Sequence, residues 1–264
     1  IELVLRHGKF PKLIELKDLR GDLHIHSKWS DGTNSIEEIA KFYKKNGFEY
    51  IAITDHSLSV GVAHGLTLER LKMQWDEIDE INKDLAGEVG EAGAGFKILK
   101  GAEVDIRKNG EVDYPDKILR RLDIVIASSH MRFKLTEEEQ TRRIITALKN
   151  PYVRILGHPS GRLIGSREPL KFDMEAVIKA AVDNNVVLEI NSFPDRLDLA
   201  DIYVKMAKEL GAKFAISSDS HNLVHFEYLK YGVFVGRRGW LTAADVINTW
   251  PTTKVKEFFE KKRR

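Results

Sequence analysis

The sequence predicts an α/β fold in which parallel strands, each followed by a helix, close into a barrel. Short apolar, β-branched runs alternate with longer amphipathic stretches, the rhythm of repeated strand-helix units around a parallel sheet. The 264 residues, 42% of them hydrophobic, suffice for one sizeable core, and units of this total length close into a single barrel domain. Histidines and acids also recur at the ends of the apolar runs, where a parallel barrel gathers its loops on one rim.

The first strand is read at 22–26. A helix follows over 36–46, opened by Ser35 and Glu38, whose spacing lets each side chain cap the other's free backbone amide, and closed by Asn46-Gly47. The second strand, 50–54, leads into a helix over 67–85. The Gly-rich stretch 87–95 reads as a loop, not a domain boundary, because the alternation resumes directly after it. Strands then fall at 97–104, 124–128, 153–156, 186–190 and 213–217, with helices at 137–149, 173–184 and 199–210 and a C-terminal helical pair from Thr242. No internal repeat of fixed period is present.

Composition narrows the chemistry. With 42 Lys+Arg against 40 Asp+Glu the formal charge is +2, so net charge gives no argument for a nucleic-acid partner. The absence of cysteine excludes disulfides, thiolate metal sites and a cysteine nucleophile; a metal site must use imidazole and carboxylate. No 18-residue apolar run and no secretory signal pattern occurs, so a cytoplasmic protein without a membrane partner is expected.

His24 and His26, Asp55 and His56, Glu103 and Asp105, His130, His158, and Asp219 and His221 all lie in or just beyond the C-terminal end of a predicted strand. A parallel barrel brings such ends to one mouth. In His24-Ile-His26 the spacing sets both imidazoles on one side of a strand and turns Ile25 into the packing behind. A lone histidine at a strand end is most often structural; six strand ends all carrying His or Asp/Glu point to metal. Divalent cations neutralise the acids and use the ring lone pairs, and the donors outnumber what one ion takes, which implies two or three ions. Such a site acidifies a bridging water and clamps attacking and leaving oxygens at phosphorus, although two-metal amide hydrolysis also remains open at this point.

The motifs Asp22-Leu-His24-Ile-His26-Ser, Thr54-Asp55-His56-Ser57, Gly101-Ala-Glu103, Ser129-His130, Gly157-His158-Pro159 and Ser218-Asp219-Ser-His221 resemble those of the polymerase and histidinol phosphatase (PHP) family, in order and over nearly the whole chain. The resemblance implies a distorted seven-stranded (β/α)7, TIM-like barrel with a trinuclear centre. Its ligands would be His24, His26, Asp31, His56, Glu103, His130, His158, Asp219 and His221. Asp31, in Trp29-Ser-Asp31-Gly32, would read as a turn without it. Further motifs, among them Arg20-Gly-Asp22, Asp113-Tyr-Pro-Asp116, His158-Pro-Ser-Gly-Arg162 with Arg167-Glu-Pro169, Asn191 with Arg196-Leu-Asp198, and Trp240-Leu-Thr, are similar to the C-terminal PHP domain of family X DNA polymerases. His7-Gly-Lys-Phe-Pro-Lys-Leu resembles the linker before that domain, giving residues 1–20 as lead-in and 21–264 as one metallo-phosphoesterase domain. The polymerase part is missing from the sequence, so nucleotidyl transfer is not assigned, and a polymerase domain is an expected partner in cis or in trans.

This resemblance implies a 3′-5′ exonuclease acting on DNA 3′ ends, with a role in DNA repair and possible cleavage at abasic sites, and two to three divalent ions from Zn2+, Mn2+ and Fe2+. Arg162 and Arg196 follow two strand ends, where a guanidinium reaches a phosphate oxygen or else forms a surface ion pair; Arg132 has a weaker version of the same case. His64 is a candidate proton donor to the leaving oxygen, set against a loop-packing role. His7 and His225 read as ordinary surface or helix residues, Trp75 and the Phe226-Glu-Tyr228 aromatics as core, and Lys261-Lys-Arg-Arg264 as a helix-end charge cluster. The rival functions are a phosphomonoesterase on a small metabolite such as histidinol phosphate and a non-catalytic structural module of a polymerase.

Overall fold

The computed structural model of the chain describes residues 10–86 and 95–260. The linker-like segment around His7, most of the Gly-rich loop and the Lys261–Arg264 cluster lie outside the described residues. Seven parallel strands are hydrogen-bonded in sequence order: β1 (Gly21–Ile25), β2 (Tyr50–Ile53), β3 (Lys97–Asp105), β4 (Ile124–Ser128), β5 (Ile155–Leu156), β6 (Val187–Asn191) and β7 (Phe214–Ser217). Helices α1 (Ile36–Lys45), α2 (Leu68–Ala86), α3 (Asp116–Leu119), α4 (Glu137–Leu148), α5 (Met174–Asp183), α6 (Asp201–Glu209), α7 (Leu229–Arg238) and α8 (Thr252–Glu260) connect or follow them. No helix among the described residues is long and apolar enough to cross a membrane.

All seven predicted strands are present, within two residues of their expected ends. The capping of α1 is as read: Glu38 N–H donates to Ser35 Oγ at 3.2 Å, and Ser35 N–H donates to Glu38 Oε2 at 2.8 Å. Two expectations need correction. The segment from Thr242 is not a helical pair but two 3₁₀ turns, Ala243–Asp245 and Ile247–Thr249, followed by α8 alone. The sequence reading also missed the one-turn α3 and the longer α7, whose Gly232 and Gly236 weaken its helical signature. Gly232 is required by packing, since a Cβ there would stand 2.1 Å from Ser192 Oγ.

The barrel is not sealed by a full ladder between β7 and β1. Side chains bridge that seam. The buried Asn248 amide donates to the carbonyls of Gly21 and Ile216, both at 2.8 Å, and accepts from Ile216 N–H at 3.0 Å. Asp22 accepts from Ser218 N–H at 3.2 Å and from Tyr43 Oη at 2.9 Å. Above them His26 N–H donates to Ser220 O at 2.8 Å. The seam therefore explains the departure from helix after Thr242: that stretch supplies a strand-like hydrogen-bonding plug.

Strand parity divides the barrel interior into two zones. Leu23, Tyr50, Ala52, Leu99, Ile124, Ile126, Ile155, Val187 and Ala215 form its lower, apolar zone, closed below by Val255 and Phe259 of α8. Continuing two residues at a time up the same strand faces leads from Ala52 to Thr54 and His56, from Leu99 to Gly101 and Glu103, and from Val187 to Glu189. The alternate residues, such as Ile51, Ile53, Val104, Leu188, Ile190 and Ile216, pack outward against the helices. In β1 the register shifts between Asp22 and Ile25, placing Leu23 in the interior core and Ile25 in the helix layer.

Candidate metal centre

The upper zone is where the predicted ligands meet. Three groups of donor atoms each lie within 4.8 Å of one another: His26, Asp31, His56 and His221; His24, His26 and Asp219; and His56, Glu103 and His130. The groups share His26 and His56, so they form one chain of adjoining cages. His158, the ninth predicted ligand, joins through Glu103, with Nε2 2.8 Å from Oε1. Glu103 is the hub, also standing 2.9 Å from His56 Nδ1, 3.2 Å from His130 Nε2, 3.4 Å from His24 Nε2 and 3.6 Å from His26 Nε2.

Local backbone geometry aims these side chains. Asp31 sits on a tight turn closed by Gly32 N–H to Ser27 O at 3.0 Å; a Cβ on Gly32 would lie 2.4 Å from the His26 carbonyl, so only glycine fits. Asp219 (φ 52°) and His158 (φ 24°) occupy left-handed backbone just past β7 and β5, turning the chain sharply across the mouth. Asp55 does not point into the cages although it neighbours His56. Strand parity sends it outward, where it accepts from Ser27 N–H (2.7 Å), Ser27 Oγ (2.6 Å), Ser30 Oγ (2.5 Å) and Gln74 Nε2 (2.5 Å). That knot pins the loop carrying Asp31.

A buried outer layer holds the imidazoles in place. Glu189, missed in the sequence reading, takes His24 Nδ1 at 2.7 Å and His158 N–H at 2.6 Å. Asp105 receives His130 N–H at 2.9 Å and lies 3.3 Å from His130 Nδ1; Asn191 Nδ2 donates to Asp219 Oδ2 at 2.9 Å. A charged residue amid the apolar run of β6 was the available signal for Glu189, because a fully buried acid requires partners.

The electrostatics suit cation binding. Burial pushes His26 down to about 3, reinforced by His221 and His56, so its ring is neutral with its lone pair exposed to the cage. Burial opposes ionisation of Glu103 and Asp219, but the surrounding imidazoles hold both well below the usual carboxylate range. His130 and His221 move up to about 9: burial pulls them down, and Glu103 with Asp105, and Asp31 with Asp219, more than reverse it. Several buried donor atoms, including His24 Nε2, both ring nitrogens of His26 and of His130, His56 Nδ1 and Glu103 Oε2, have no hydrogen-bond partner. Unsatisfied ring nitrogens and carboxylate oxygens converging on shared points fit divalent ions, which supply the missing partners once the rings are neutral.

The remaining predicted residues lie around or away from this set. Arg196 reaches Asp219 Oδ2 at 3.5 Å and keeps a buried Nη1 without a hydrogen-bond partner. Arg162 donates to the Arg196 carbonyl at 2.7 Å and to the Leu197 carbonyl, so it braces the loop that carries Arg196. His64 caps a 3₁₀ turn with left-handed backbone (φ 54°), is exposed and lies outside the three groups; its carbonyl is held by Arg70. Arg132 is exposed as well. Trp75 is core as expected, and Phe226 packs with Phe42, Tyr43 and Phe48. His225 and Tyr228 correct the reading: His225 accepts from His221 N–H at 3.2 Å and stacks on Tyr228, placing both beside the mouth.

Comparisons with known proteins agree with this architecture. The PHP domain profile matches residues 22–193. The DNA polymerase/3′-5′ exonuclease PolX of Bacillus subtilis is 43% identical over 250 residues, covering 95% of this chain; the chain spans only 42% of that relative's length. A probable phosphatase of Thermoanaerobacter is 34% identical over 255 residues, covering 92% of this chain and 95% of its own. A histidinol phosphate phosphatase from Lactococcus lactis, solved with zinc, L-histidinol and phosphate, superposes with a TM-score of 0.61 at 17% identity, covering 84% of this chain and 94% of its own. That last likeness speaks for the fold. With a matching profile over most of its length and these motifs gathered at one barrel mouth, the chain belongs to the PHP domain family.

Proposed function

We propose that the chain is a metal-dependent phosphoesterase that shortens DNA from the 3′ end. The carrying observation is the convergence of unpaired imidazole and carboxylate donors around Glu103 in one mouth. His24, His26, Asp31, His56, Glu103, His130, His158, Asp219 and His221 would hold two to three divalent ions, Zn2+, Mn2+ or Fe2+. When bound, such ions act as Lewis acids toward phosphate oxygens and acidify water. Arg196 would receive a non-bridging oxygen, where its guanidinium offsets negative charge that grows in the transition state. Arg162 would act through it by fixing the 196–197 backbone. Residues 21–264 form the catalytic unit in this reading, with a polymerase domain in cis or trans as its partner.

Identity of 43% to the segment of a polymerase/exonuclease favours DNA over a small substrate. A phosphomonoesterase is the second reading, supported by 34% identity to a probable phosphatase of the same length range. A purely structural module is disfavoured because every predicted ligand position holds a competent donor. Metal-loaded protein incubated with 5′-labelled single-stranded DNA, and separately with histidinol phosphate, separates these readings. A ladder shortening from the 3′ end supports the nuclease; turnover of the metabolite alone overturns it. Replacing Arg162 and Arg196 together should depress diester cleavage and leave metal content intact.

A further inference from the structure

A cavity of about 330 Å³ opens directly beside the candidate metal centre, sharing Asp219 and His221 with it. Its remaining walls are Leu163, Phe193, Asp195, Arg196 and His225. Nothing in the hydrolytic chemistry requires aromatic rings here. Yet Phe193 meets His225 edge to face at 5.1 Å and Tyr228 at 5.3 Å, while Tyr228 stacks behind His225 at 5.1 Å and 16°. The three rings brace one another, so the aromatic wall has its shape before any ligand arrives.

We infer that this cavity is a nucleobase subsite: it takes the terminal base of the strand, with Phe193 and His225 as the stacking wall and Arg196 at its phosphate end. The inference rests on the nuclease reading and deepens it. Volume supports a single nucleotide, lying at the lower end of the roughly 300–1,000 Å³ of small-molecule sites. The lining combines both kinds of surface that a nucleotide needs. Leu163 and Phe193 offer apolar contact, whereas Arg196 and the shared ligands Asp219 and His221 mark the end where the phosphate must sit. Aromatic faces accept any base, so the subsite selects for the presence of a base and not for its identity.

Isothermal titration of the full chain with 5′-dAMP, 2-deoxyribose 5-phosphate and histidinol phosphate tests this without turnover. The wild type should bind 5′-dAMP about tenfold more tightly than the base-free sugar phosphate, the low end of what one stacked base contributes. Phe193→Leu keeps the apolar bulk and should lose about that tenfold for 5′-dAMP alone, with bound metal unchanged; Phe193→Tyr should restore it. Equal affinity for 5′-dAMP and the sugar phosphate, no binding of either, or tighter binding of histidinol phosphate would overturn the subsite. The wild-type comparison does not depend on any variant folding. DNA shortening measured on the same preparation keeps the two ideas apart: base selectivity without shortening sinks only the nuclease reading, and shortening without base selectivity sinks only the subsite.

Discussion

Replacing Glu189 by glutamine tests whether the outer layer sets metal affinity. Glu189 is fully buried and uses both oxygens, one on His24 Nδ1 at 2.7 Å and one on His158 N–H at 2.6 Å. Glutamine keeps the shape but offers one carbonyl oxygen, so only one of the two contacts survives and an amide N–H faces the other donor. A hydrogen bond to a charged partner is worth about 1.5–3 kcal/mol. That corresponds to a roughly 10- to 100-fold weaker metal site, the same range found when carboxylates behind imidazole ligands are removed. Competition of Zn2+ or Mn2+ against a chromophoric chelator measures it, with circular dichroism as the control for folding. Activity should recover when metal is raised to saturation, because Glu189 reaches no cage directly. Glu103→Gln should not recover, since Glu103 faces five imidazoles. Unchanged affinity in Glu189→Gln, with only a lower melting temperature, would show that the carboxylate supports the barrel and not the metal.

Chelation should lower the melting temperature by about 5 °C or more relative to protein holding metal at 100 times its dissociation constant, a linkage of roughly 2.7 kcal/mol in a chain of this size. Metal loading at pH 7.5 should release about three protons, because ligation requires neutral imidazole, and in the metal-free protein His24 is raised well above its ordinary value while the two rings of His130 and His221 are raised to about 9. The sign for metal-free stability follows from the same shifts: the contribution of these two rings is complete below their ordinary value near 6.5 and is lost as pH rises through 9, so calorimetry should find the metal-free protein weaker at pH 9.5 than at pH 6. Asp55→Ala removes the acceptor of four donors and should cost about 3 kcal/mol, about a 6 °C loss of melting temperature. An intact melting point in that variant would refute the role given to the knot.

Most strands were legible because they are apolar, β-branched runs, and residues interior to the barrel follow a period of two except at the register shift in β1. The misread parts are those where tertiary demands replaced local propensity. α7 carries two glycines, of which Gly232 packs against Ser192, and together they hide its helical pattern. The segment after Thr242 trades helix for a seam-closing role that Asn248 performs with its side-chain amide, and no local signal announces a partner 227 residues away.

The site shows the same division at finer scale. Position at a strand end predicted which residues gather at the mouth, but parity decided which face inward. Asp55 and His56 are adjacent and of equal chemical promise; one strand step sends the first into the helix layer and the second toward Glu103. Parity applied consistently would also have found Glu189, two residues beyond the interior Val187. His225 escaped both rules because it lies in a 3₁₀ turn, Leu223–Tyr228, after the last strand. Its contact with His221 is local, four residues along the chain, but its place against Phe193 depends on that turn packing against the loop after β6, which neither spacing nor composition encodes. Residues on strands are thus assigned by counting, and residues on the loops that shape a substrate cavity are assigned only once the chain is folded.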